Sequence, residues 1–500
     1  MSTSNSDIPK QTNSDDDGFP GDVLVDLRHD QDRPLRERLE HALRSAIQQQ
    51  LLAAGTALPP TRVLAAELGI SRSVVVEAYR NLTADGYLET RLGAWTRVRP
   101  QPDPEASPTS EDPSDGEAAV FFDRPRPASL LRAQIRLLGG LPDPALFPRT
   151  RWLRHYRSAL AELPDPQLTY PDIQGAEILR TALASYLGRV RGVATTPGRI
   201  LVCAGVTQGL TLVCRALRRA GARRVAVEDP CFGVHRMAIA MTGLEPVPIP
   251  VDDAGLDPAR LADQDIAAVL VAPAHSYPSG VMLNASRRRE LVGWARRRNA
   301  LIIEDDYDAE FRYDRAPIGA LQGLAHDRVI YIGSASKTVT PALRLGWVAV
   351  PAELVDALAR EKHFDDMGSS LLEQIAFARF IDSGDFSRHL RRVRPVYRHR
   401  RDATINAVTK LLPTARWQGA AAGLHLHLTL PGDVDERALT LAAYKRGVLV
   451  EDGSWQWARS EQAPPSIIIG YGLTSDRTIR SAITILADVM LVTRSPNTPA

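Results

Sequence analysis

One lysine, Lys337, lies in a stretch whose residue types could bind a phosphorylated aldehyde. Only five of the 61 lysines and arginines in the chain are lysines. An amine can lose its proton and attack an aldehyde, whereas a guanidinium stays protonated and is a poor nucleophile. This lysine is flanked by Ser334, Ser336 and Arg344. Hydroxyl groups and a bidentate guanidinium can together bind a phosphate monoester. The stretch GSASKTVTPALRLGW therefore predicts a site for pyridoxal phosphate (PLP), unless Lys337 is an ordinary exposed lysine after a strand.

Short apolar runs beyond Leu130 alternate with amphipathic helices, and these elements must position the lysine. The strand-like runs are RILVCAG, RRVAVEDP, AAVLVAP, ALIIEDD and RVIYIGS. Such alternation predicts a mainly parallel sheet with helices on both faces and ligands at the carboxyl ends of its strands. The segments GVTQG, EDPCFG, PAHSYPSG and EDDYDAEF follow these runs, so we expect them to meet the lysine loop at one edge of the sheet.

Helices dominate after about residue 350, and the run GLHLHLTL follows them. Its leucines alternate with His425, His427 and Thr429, which predicts a half-buried strand of a smaller domain. The two histidines are expected on the polar face of that strand. No carboxylate or cysteine pattern accompanies them, so no metal site is predicted.

The N-terminal part of the chain predicts three helices and a hairpin. Leucine and isoleucine recur every four residues over 35–51, which indicates a helix. A second helix is predicted over 61–68, and a third is expected to begin after Ser71 as its N-cap and to run to about Leu82. The run YLETRLGAWTRV then predicts two short strands around a turn at Gly93. Together these elements describe a winged helix-turn-helix.

Length and composition predict a soluble cytoplasmic protein of two or three domains, with 500 residues and a net charge of +2. Its three cysteines lack metal-binding spacing, and neither a signal peptide nor a membrane span is predicted. Segments rich in polar, acidic or proline residues predict a disordered tail and a linker. The predicted divisions are a tail over 1–20, a winged helix over 21–98, a linker over 99–129, a PLP-binding domain over 130–494 and a tail over 495–500.

The stretch LPPTRVLAAELGISRSVVVEAYRNLTADGYLETRLGAWTRV resembles the GntR-type winged helix over its full length. The resemblance implies that the chain binds operator double-stranded DNA, with the second helix of the pair in the major groove. The sequence departs from the family pattern in the wing, where it reads Gly93-Ala94-Trp95-Thr96 in place of the usual Gly-Ser-Gly-Thr. A helical protein–protein module on this fold is the alternative. The residues that the resemblance places at DNA are Arg62, Ser71, Arg72, Ser73 and Gly93.

Residues 137–490 resemble the class I aminotransferase fold of PLP-dependent enzymes. With the winged helix in front, the chain is similar to the MocR family of bacterial regulators. The resemblance implies that Lys337 binds the cofactor aldehyde covalently and that Asp305 pairs with the pyridine nitrogen. It also implies that Tyr307 hydrogen-bonds the ring hydroxyl and that Phe232 stacks on the ring.

The same resemblance implies a phosphate site and a homodimer. Tyr170, in TYPDIQG, matches a tyrosine that reaches the phosphate from the neighbouring subunit. The remaining phosphate-binding groups would belong to Val206, Thr207, Gln208, Ser334 and Arg344.

Two departures bear on activity. The C-terminal stretch SIIIGYG lacks the arginine with which aminotransferases of this fold hold the substrate carboxylate. Tyr277 stands where an asparagine beside the ring hydroxyl is usual, and Ser276 where the family usually has glutamine. Without a carboxylate clamp, substrate orientation and therefore rate suffer. We thus expect a DNA-binding regulator, not an enzyme, that senses PLP or a PLP-reactive amine. Residual transaldimination or half-transamination of PLP is compatible with this expectation. An active aminotransferase with an accessory DNA-binding domain is the alternative, and a regulator that has lost PLP is a third hypothesis.

Overall fold

A computed structural model of the chain divides into two units, one within Met1–Pro125 and one within Arg126–Ala500. The structure describes residue 27 and residues 33–90, 95–100, 134–262, 264–313, 318–419 and 422–493. Both predicted tails, nearly all of the predicted linker and Gly93 lie outside these residues.

The first unit has the three helices and the hairpin that the sequence predicts. The strands β1 and β2 pair antiparallel, with Leu88 opposite Val98. The helices pack around one apolar core in which Leu39, Leu43 and Leu82 are fully buried. Its elements are α1 (Leu35–Gln48), α2 (Thr61–Glu67), α3 (Arg72–Ala84), β1 (Leu88–Glu89) and β2 (Arg97–Val98).

The first helix ends earlier than the leucine period predicts. Helix α1 stops at Gln48, and Gln50 adopts a left-handed backbone conformation with φ of 57°. The chain turns at this point, so Leu51 is 74% exposed and the next residue, Leu52, is buried in its place. The apolar period alone could not locate this turn.

The second unit contains two sheets and the helices that cover them. Its strands are β3 (Ile135–Leu137), β4 (Ile200–Cys203), β5 (Arg224–Asp229), β6 (Glu245–Asp252), β7 (Gly255–Leu256), β8 (Ala268–Val271), β9 (Leu301–Asp305), β10 (Val329–Ser334), β11 (Gly346–Ala349), β12 (Arg416–Gln418), β13 (His425–Thr429), β14 (Val448–Asp452) and β15 (Ser466–Gly470). Its helices are α4 (Arg149–Glu162), α5 (Glu177–Arg191), α6 (Val206–Arg219), α7 (Gly233–Met241), α8 (Ala285–Arg298), α9 (Val355–Asp366), α10 (Leu371–Asp382), α11 (Asp385–Leu411), α12 (Glu436–Lys445) and α13 (Asp476–Val492).

The larger sheet has eight strands in the order β4-β11-β10-β9-β8-β5-β6-β7. Strand β11 runs antiparallel to both of its neighbours and β7 antiparallel to β6, while the other pairs are parallel. The five predicted apolar runs are β4, β5, β8, β9 and β10, and the mainly parallel sheet is confirmed. Their carboxyl ends lie at one edge of the sheet, where such sheets bind ligands.

The smaller sheet has the order β12-β13-β15-β14-β3. Strand β3, from the start of the unit, pairs in parallel with β14 near its end, with Ile135 opposite Val448. The segment that follows β3 crosses close to β15, because a side-chain carbon at Gly470 would clash with the main-chain carbonyl of Leu138. This pairing brings residues 138–140 over the end of the larger sheet.

The prediction that the two histidines of the GLHLHLTL strand lie on a polar face of that strand is wrong. His425 and His427 of β13 are buried, at 0% and 3% exposure. The histidine face packs on the loop after β8 instead of facing water, and the ring centroids of His425 and Tyr277 lie 4.7 Å apart. A strand covered on both faces can still show apolar–polar alternation when the polar residues pack against other protein groups.

Within the described ranges, no helix is long and apolar enough to cross a membrane. In the same ranges, no three His, Cys, Asp or Glu side chains are grouped so that they could hold a metal ion.

A buried ion pair fixes the end of β9, at the edge of the larger sheet where the predicted ligand-binding segments lie. Arg191, 2% exposed, donates to both carboxylate oxygens of Asp306 at 2.7 and 2.9 Å. The Tyr331 hydroxyl donates to the same carboxylate at 2.6 Å. This pair ties the end of helix α5 to the residue that follows β9.

We expect Asp306→Asn to destabilise the second unit by about 3–5 kcal/mol, because the substitution removes the charged partner that binds the buried Arg191 guanidinium directly. Urea unfolding followed by tryptophan fluorescence measures the change. Asp327→Asn is the matched control, since Asp327 pairs with Arg296 at the surface, where ion pairs contribute at most ~1 kcal/mol. Equal effects of the two substitutions would contradict the structural role of the buried pair.

Candidate functional site

Lys337 lies at the edge of the larger sheet, just after β10 and beside the end of the neighbouring strand β9. Strand β10 ends at Ser334 and the lysine follows three residues later. Strand β9 ends at Asp305, and the parallel register places Asp305 beside Ile332 of β10. The lysine and the aspartate therefore come from adjacent strand ends, as the sequence predicts.

Asp305 is buried and only partly paired. Its Oδ2 atom lies 3.6 Å from Nδ1 of His235, and its Oδ1 atom has no hydrogen-bond partner among the described residues. Burial, together with the neighbouring Asp306 and Asp308 charges, raises the pKa of the Asp305 carboxyl to about 8. A buried acceptor without a donor is costly unless a ligand supplies the donor.

Three rings form a wall next to this carboxylate. The Phe232 ring stands perpendicular to the rings of His235 and Tyr277, with centroid distances of 5.0 and 5.4 Å. Burial lowers the pKa of His235 to about 4, so its imidazole is neutral at physiological pH. His235 was not identified from the sequence, although it lies only three residues after Phe232, in the first turn of helix α7.

A second group of polar side chains lies around His275. Its Nδ1 atom is 2.9 Å from the Tyr307 hydroxyl and 2.9 Å from Oδ2 of Asp308. Burial raises the pKa of Tyr307 well above its usual value, so the phenol stays protonated. His275 and Asp308 stand within the segments PAHSYPSG and EDDYDAEF, but spacing along the chain did not indicate that they would meet.

An anion cradle lies at the start of helix α6. Gly205 precedes that helix with φ of +127°, and the Arg344 guanidinium is 3.3 Å from where a Gly205 side-chain carbon would stand. In the described part of the chain, the Arg344 side chain makes no hydrogen bond or ion pair. Free amides at a helix N-terminus together with a guanidinium suit a phosphate. Ser334 is buried nearby at the end of β10, and Val206 and Thr207 form the first residues of the helix.

The side chain of Gln208 is already engaged within the protein. It accepts a bond from the Ala204 amide at 2.6 Å and donates to Asp365 and Asp366 at 2.7 and 3.1 Å. Asp366 also accepts from Lys362, a buried lysine, at 2.5 Å. Lys362 is thus held by an internal ion pair.

The segment after β3 closes over the lysine. A side-chain carbon at Gly140 would lie 3.2 Å from Nζ of Lys337, and one at Gly139 would lie 2.9 Å from the Tyr277 hydroxyl. That hydroxyl donates to Glu451 of β14 at 3.0 Å. Burial lowers the pKa of Lys337, while Asp308, Asp305 and Glu451 oppose this shift. Glu451 was missed because it lies more than a hundred residues beyond the lysine, in the smaller domain.

Tyr170 is not buried against this site within the single chain. Tyr170 is 75% exposed. Two apolar residues are also exposed, Leu168 at 56% and Phe364 at 80%. The loop that carries Tyr170 adjoins the end of α9, because a side-chain carbon at Gly368 would lie 2.8 Å from Cγ of Pro171.

The predicted DNA-contacting residues lie together at the surface of the first unit. Arg62, Ser71, Arg72 and Ser73 are all exposed, and Nε of Arg72 lies 3.5 Å from the Thr61 hydroxyl. Ser71 does not cap the helix through its side chain. Its hydroxyl contacts that of Ser73 at 2.9 Å instead.

Two family sequence profiles match the chain. The family described as Aminotransferase class I and II matches residues 148–459, and the family described as Bacterial regulatory proteins, gntR family, matches residues 35–98. The chain therefore combines a GntR-type winged helix with an aminotransferase-type domain.

Curated relatives share this combination over nearly their full length. The chain is 32% identical to the HTH-type pyridoxine biosynthesis transcriptional regulator PdxR of Corynebacterium glutamicum, over 94% of this chain and 99% of that protein. It is 31% identical to the probable rhizopine catabolism regulatory protein MocR of Rhizobium meliloti, over 94% of this chain and 97% of that protein. The chain belongs to the MocR family.

Solved aminotransferase structures share the fold of the second unit. A multiple substrate aminotransferase from Thermococcus profundus aligns with a TM-score of 0.67 at 25% identity, over 73% of this chain and 93% of that one. A kynurenine aminotransferase from Pyrococcus horikoshii aligns with a TM-score of 0.67 at 25% identity, over 75% of this chain and 98% of that one.

We expect Asp305→Asn to stabilise protein freed of PLP at pH 8. The folded pKa of about 8 lies above the unfolded value of about 4. The stability associated with the protonated carboxyl is therefore complete below pH 4 and is lost as the pH rises towards 8. Between pH 5 and 8 the wild type should lose on the order of 1–3 kcal/mol relative to the variant.

Chemical unfolding of both proteins at several pH values in this window measures the difference. Asp252→Asn serves as the control, because the pKa of the exposed Asp252 is lowered by its hydrogen bond with Arg287. A difference between wild type and Asp305→Asn that does not change with pH would show that Asp305 does not titrate in this range.

Proposed function

We propose that this protein is a transcriptional regulator that binds operator DNA through its winged helix and responds to PLP, or to an amine that reacts with bound PLP. The observation that carries the proposal is one site that combines Lys337, a buried Asp305 oxygen without a donor, and the Arg344 cradle. These are an amine, an acceptor and an anion site, the three groups that PLP requires. The same chain carries a GntR-type winged helix, as its regulator relatives do.

The residues present fit PLP at its ring. Lys337 would bind the aldehyde, and Oδ1 of Asp305 would accept from the pyridinium N–H, which supplies the donor that this buried atom lacks. Phe232 would cover one ring face, and Tyr307 and Tyr277 would lie at its hydroxyl edge. When bound, PLP supplies an aldehyde that reacts reversibly with amines and a ring that withdraws electrons.

The phosphate would bind at the start of α6. The amides of Val206, Thr207 and Gln208 face the cradle as the free N–H groups of a helix N-terminus, and Ser334 and Arg344 complete it. The engaged Gln208 side chain leaves only its main chain for this role.

Tyr170 would reach the phosphate of a second subunit in a homodimer. Its 75% exposure, together with the exposed apolar side chain of Leu168 in the same loop, supports an interface at this loop. A homodimer would also present two winged helices to two half-sites in operator DNA.

The charges around Lys337 favour regulation over transamination. Strand β15, where related enzymes carry the clamping arginine, reads Ser-Ile-Ile-Ile-Gly. The carboxylate of Glu451 instead lies at the Tyr277 hydroxyl, on the Lys337 side of the site. A carboxylate in this position repels a substrate carboxylate and favours an amine, so an amino acid would be poorly oriented for turnover.

We expect Lys337→Ala to abolish covalent attachment of PLP without unfolding the protein. The wild type should be yellow and should retain PLP after borohydride reduction, with the cofactor on the peptide that contains Lys337. Lys410→Ala is the control, because Lys410 lies on the exposed side of helix α11 and should leave attachment intact. Recovery of the cofactor on Lys362 or Lys410 would contradict the assignment.

We expect PLP to change DNA affinity only in protein that can bind it. Titration of a DNA sequence selected from a random pool by the full-length protein, with and without PLP, should show a shift of roughly 5- to 150-fold. Lys337→Ala should bind DNA with no such shift. Arg72→Ala should weaken binding by ~1–3 kcal/mol if it contacts a guanine edge.

Arg80→Ala is the matched control for the DNA side, because Arg80 is exposed later on the same helix. Equal DNA affinities with and without PLP in the wild type would show that PLP is not the signal. Transamination at enzymatic rates by the wild type would instead favour the aminotransferase.

A further inference from the structure

The helices α4 and α11 present a strongly basic surface on the second unit. We call this surface the α4–α11 face, and it is remote in sequence from both the winged helix and the lysine loop. On the solvent side of these helices, acidic groups are few and arginines are many. The exposed arginines of the face are Arg149, Arg151, Arg154, Arg157, Arg388, Arg391, Arg392 and Arg398.

One buried carboxylate fixes three of these arginines in place. Asp385, with a side chain 2% exposed, pairs with Arg151 at 3.3 Å, Arg154 at 2.6 Å and Arg388 at 2.9 Å. The Nε2 atom of His155 lies 2.9 Å from the same carboxylate. Three guanidiniums around one carboxylate leave an excess of two positive charges in a fixed arrangement at the surface.

Four further arginines of the face have no internal partner. Across the residues that the structure describes, the side chains of Arg149, Arg157, Arg391 and Arg398 make no hydrogen bond or ion pair. The side chain of Arg392 donates to the Leu146 carbonyl at 2.6 Å, which places α11 next to the segment that precedes α4. The basic groups of the two helices therefore belong to one surface.

The extent of the face matches a polyanion better than a small anion. Arg149 to Arg157 spans about 12 Å along α4, and Arg388 to Arg398 spans about 15 Å along α11. Guanidiniums spread over such a distance cannot converge on one phosphate. They can contact a row of phosphates, because each guanidinium forks onto phosphate oxygens.

We infer that the α4–α11 face binds the phosphate backbone of double-stranded DNA next to the site that the winged helix holds. This inference rests on the proposed function, because the winged helix supplies the nearby DNA at high effective concentration. Contacts of this type add affinity and dependence on salt without reading sequence.

The test uses a labelled 60-bp duplex of fixed random sequence and the full-length protein. The face variant replaces the four unpaired arginines with glutamine: Arg149→Gln, Arg157→Gln, Arg391→Gln and Arg398→Gln. A matched control removes the same charge from other exposed positions: Arg218→Gln, Arg289→Gln, Arg297→Gln and Arg360→Gln. A winged-helix variant carries Arg62→Ala and Arg72→Ala.

The expected result is a loss of affinity in the face variant of about tenfold or more at low salt, with the control within about twofold of wild type. The slope of log affinity against log salt should fall by about 3–4, because each lost phosphate contact contributes ~0.9. The winged-helix variant should retain residual binding that disappears when the four face substitutions are added. Unchanged melting temperature and PLP absorbance confirm that each variant is folded.

Three results would overturn the inference. A face variant that binds like the matched control would show that the face does not contact DNA. A face variant that changes the sedimentation coefficient would assign the face to contact with a second copy of the chain. A face variant that binds DNA more tightly would indicate that an acidic segment of the same chain covers the face.

A wild type that binds neither this duplex nor any DNA selected from the random pool would instead refute the proposed function, and the inference with it. That outcome differs from the other three because it does not depend on the four substitutions.

Discussion

The buried carboxylate of Asp305 is the group on which the site depends. The fold places it at the end of β9, surrounds it with Asp306 and Asp308, and leaves one oxygen without a donor. Such a group weakens the folded state unless a ligand pairs with it, since burial disfavours the charged form. The adjacent pair of Arg191 and Asp306 stabilises the same strand end, so the structural ion pair and the unpaired acid stand side by side. A binding site of this kind exchanges stability for affinity.

The chain uses its two types of basic residue for different purposes. Arg191 pairs with the buried Asp306, and other arginines form the exposed α4–α11 face. A permanent positive charge is sufficient for both purposes. Lys337 stands where a neutral amine is useful, and burial lowers the pKa of that amine. Lys362 shows that a buried lysine alone is not a reactive one, because Asp366 and Ser369 hold its ammonium group.

Communication between the units requires that a ligand of one unit bind two states of the protein with different free energies. A ligand at Lys337 can change DNA affinity only if it binds the two arrangements of the winged helices with different strength. DNA contacts on the α4–α11 face would supply one such difference, because the second unit would then take part in both binding events.

The sequence by itself determined the main strands of the larger sheet and which predicted site residues follow them. Continuous apolar runs identified five strands of the parallel sheet, and the segments after them contain Asp305, Lys337 and Arg344. Strand ends in a parallel sheet meet at one edge, so local patterns were enough to bring these residues together.

Only the tertiary structure decided which distant groups join them. Glu451 and the segment at Gly139 reach the site because β3 pairs with β14 across more than three hundred residues, and no local pattern encodes that pairing. The burial of His425 and His427 likewise follows from packing between two domains and not from alternation within one strand. Periodicity reports which residues share a face of an element, whereas the neighbours of that face are set by the whole fold.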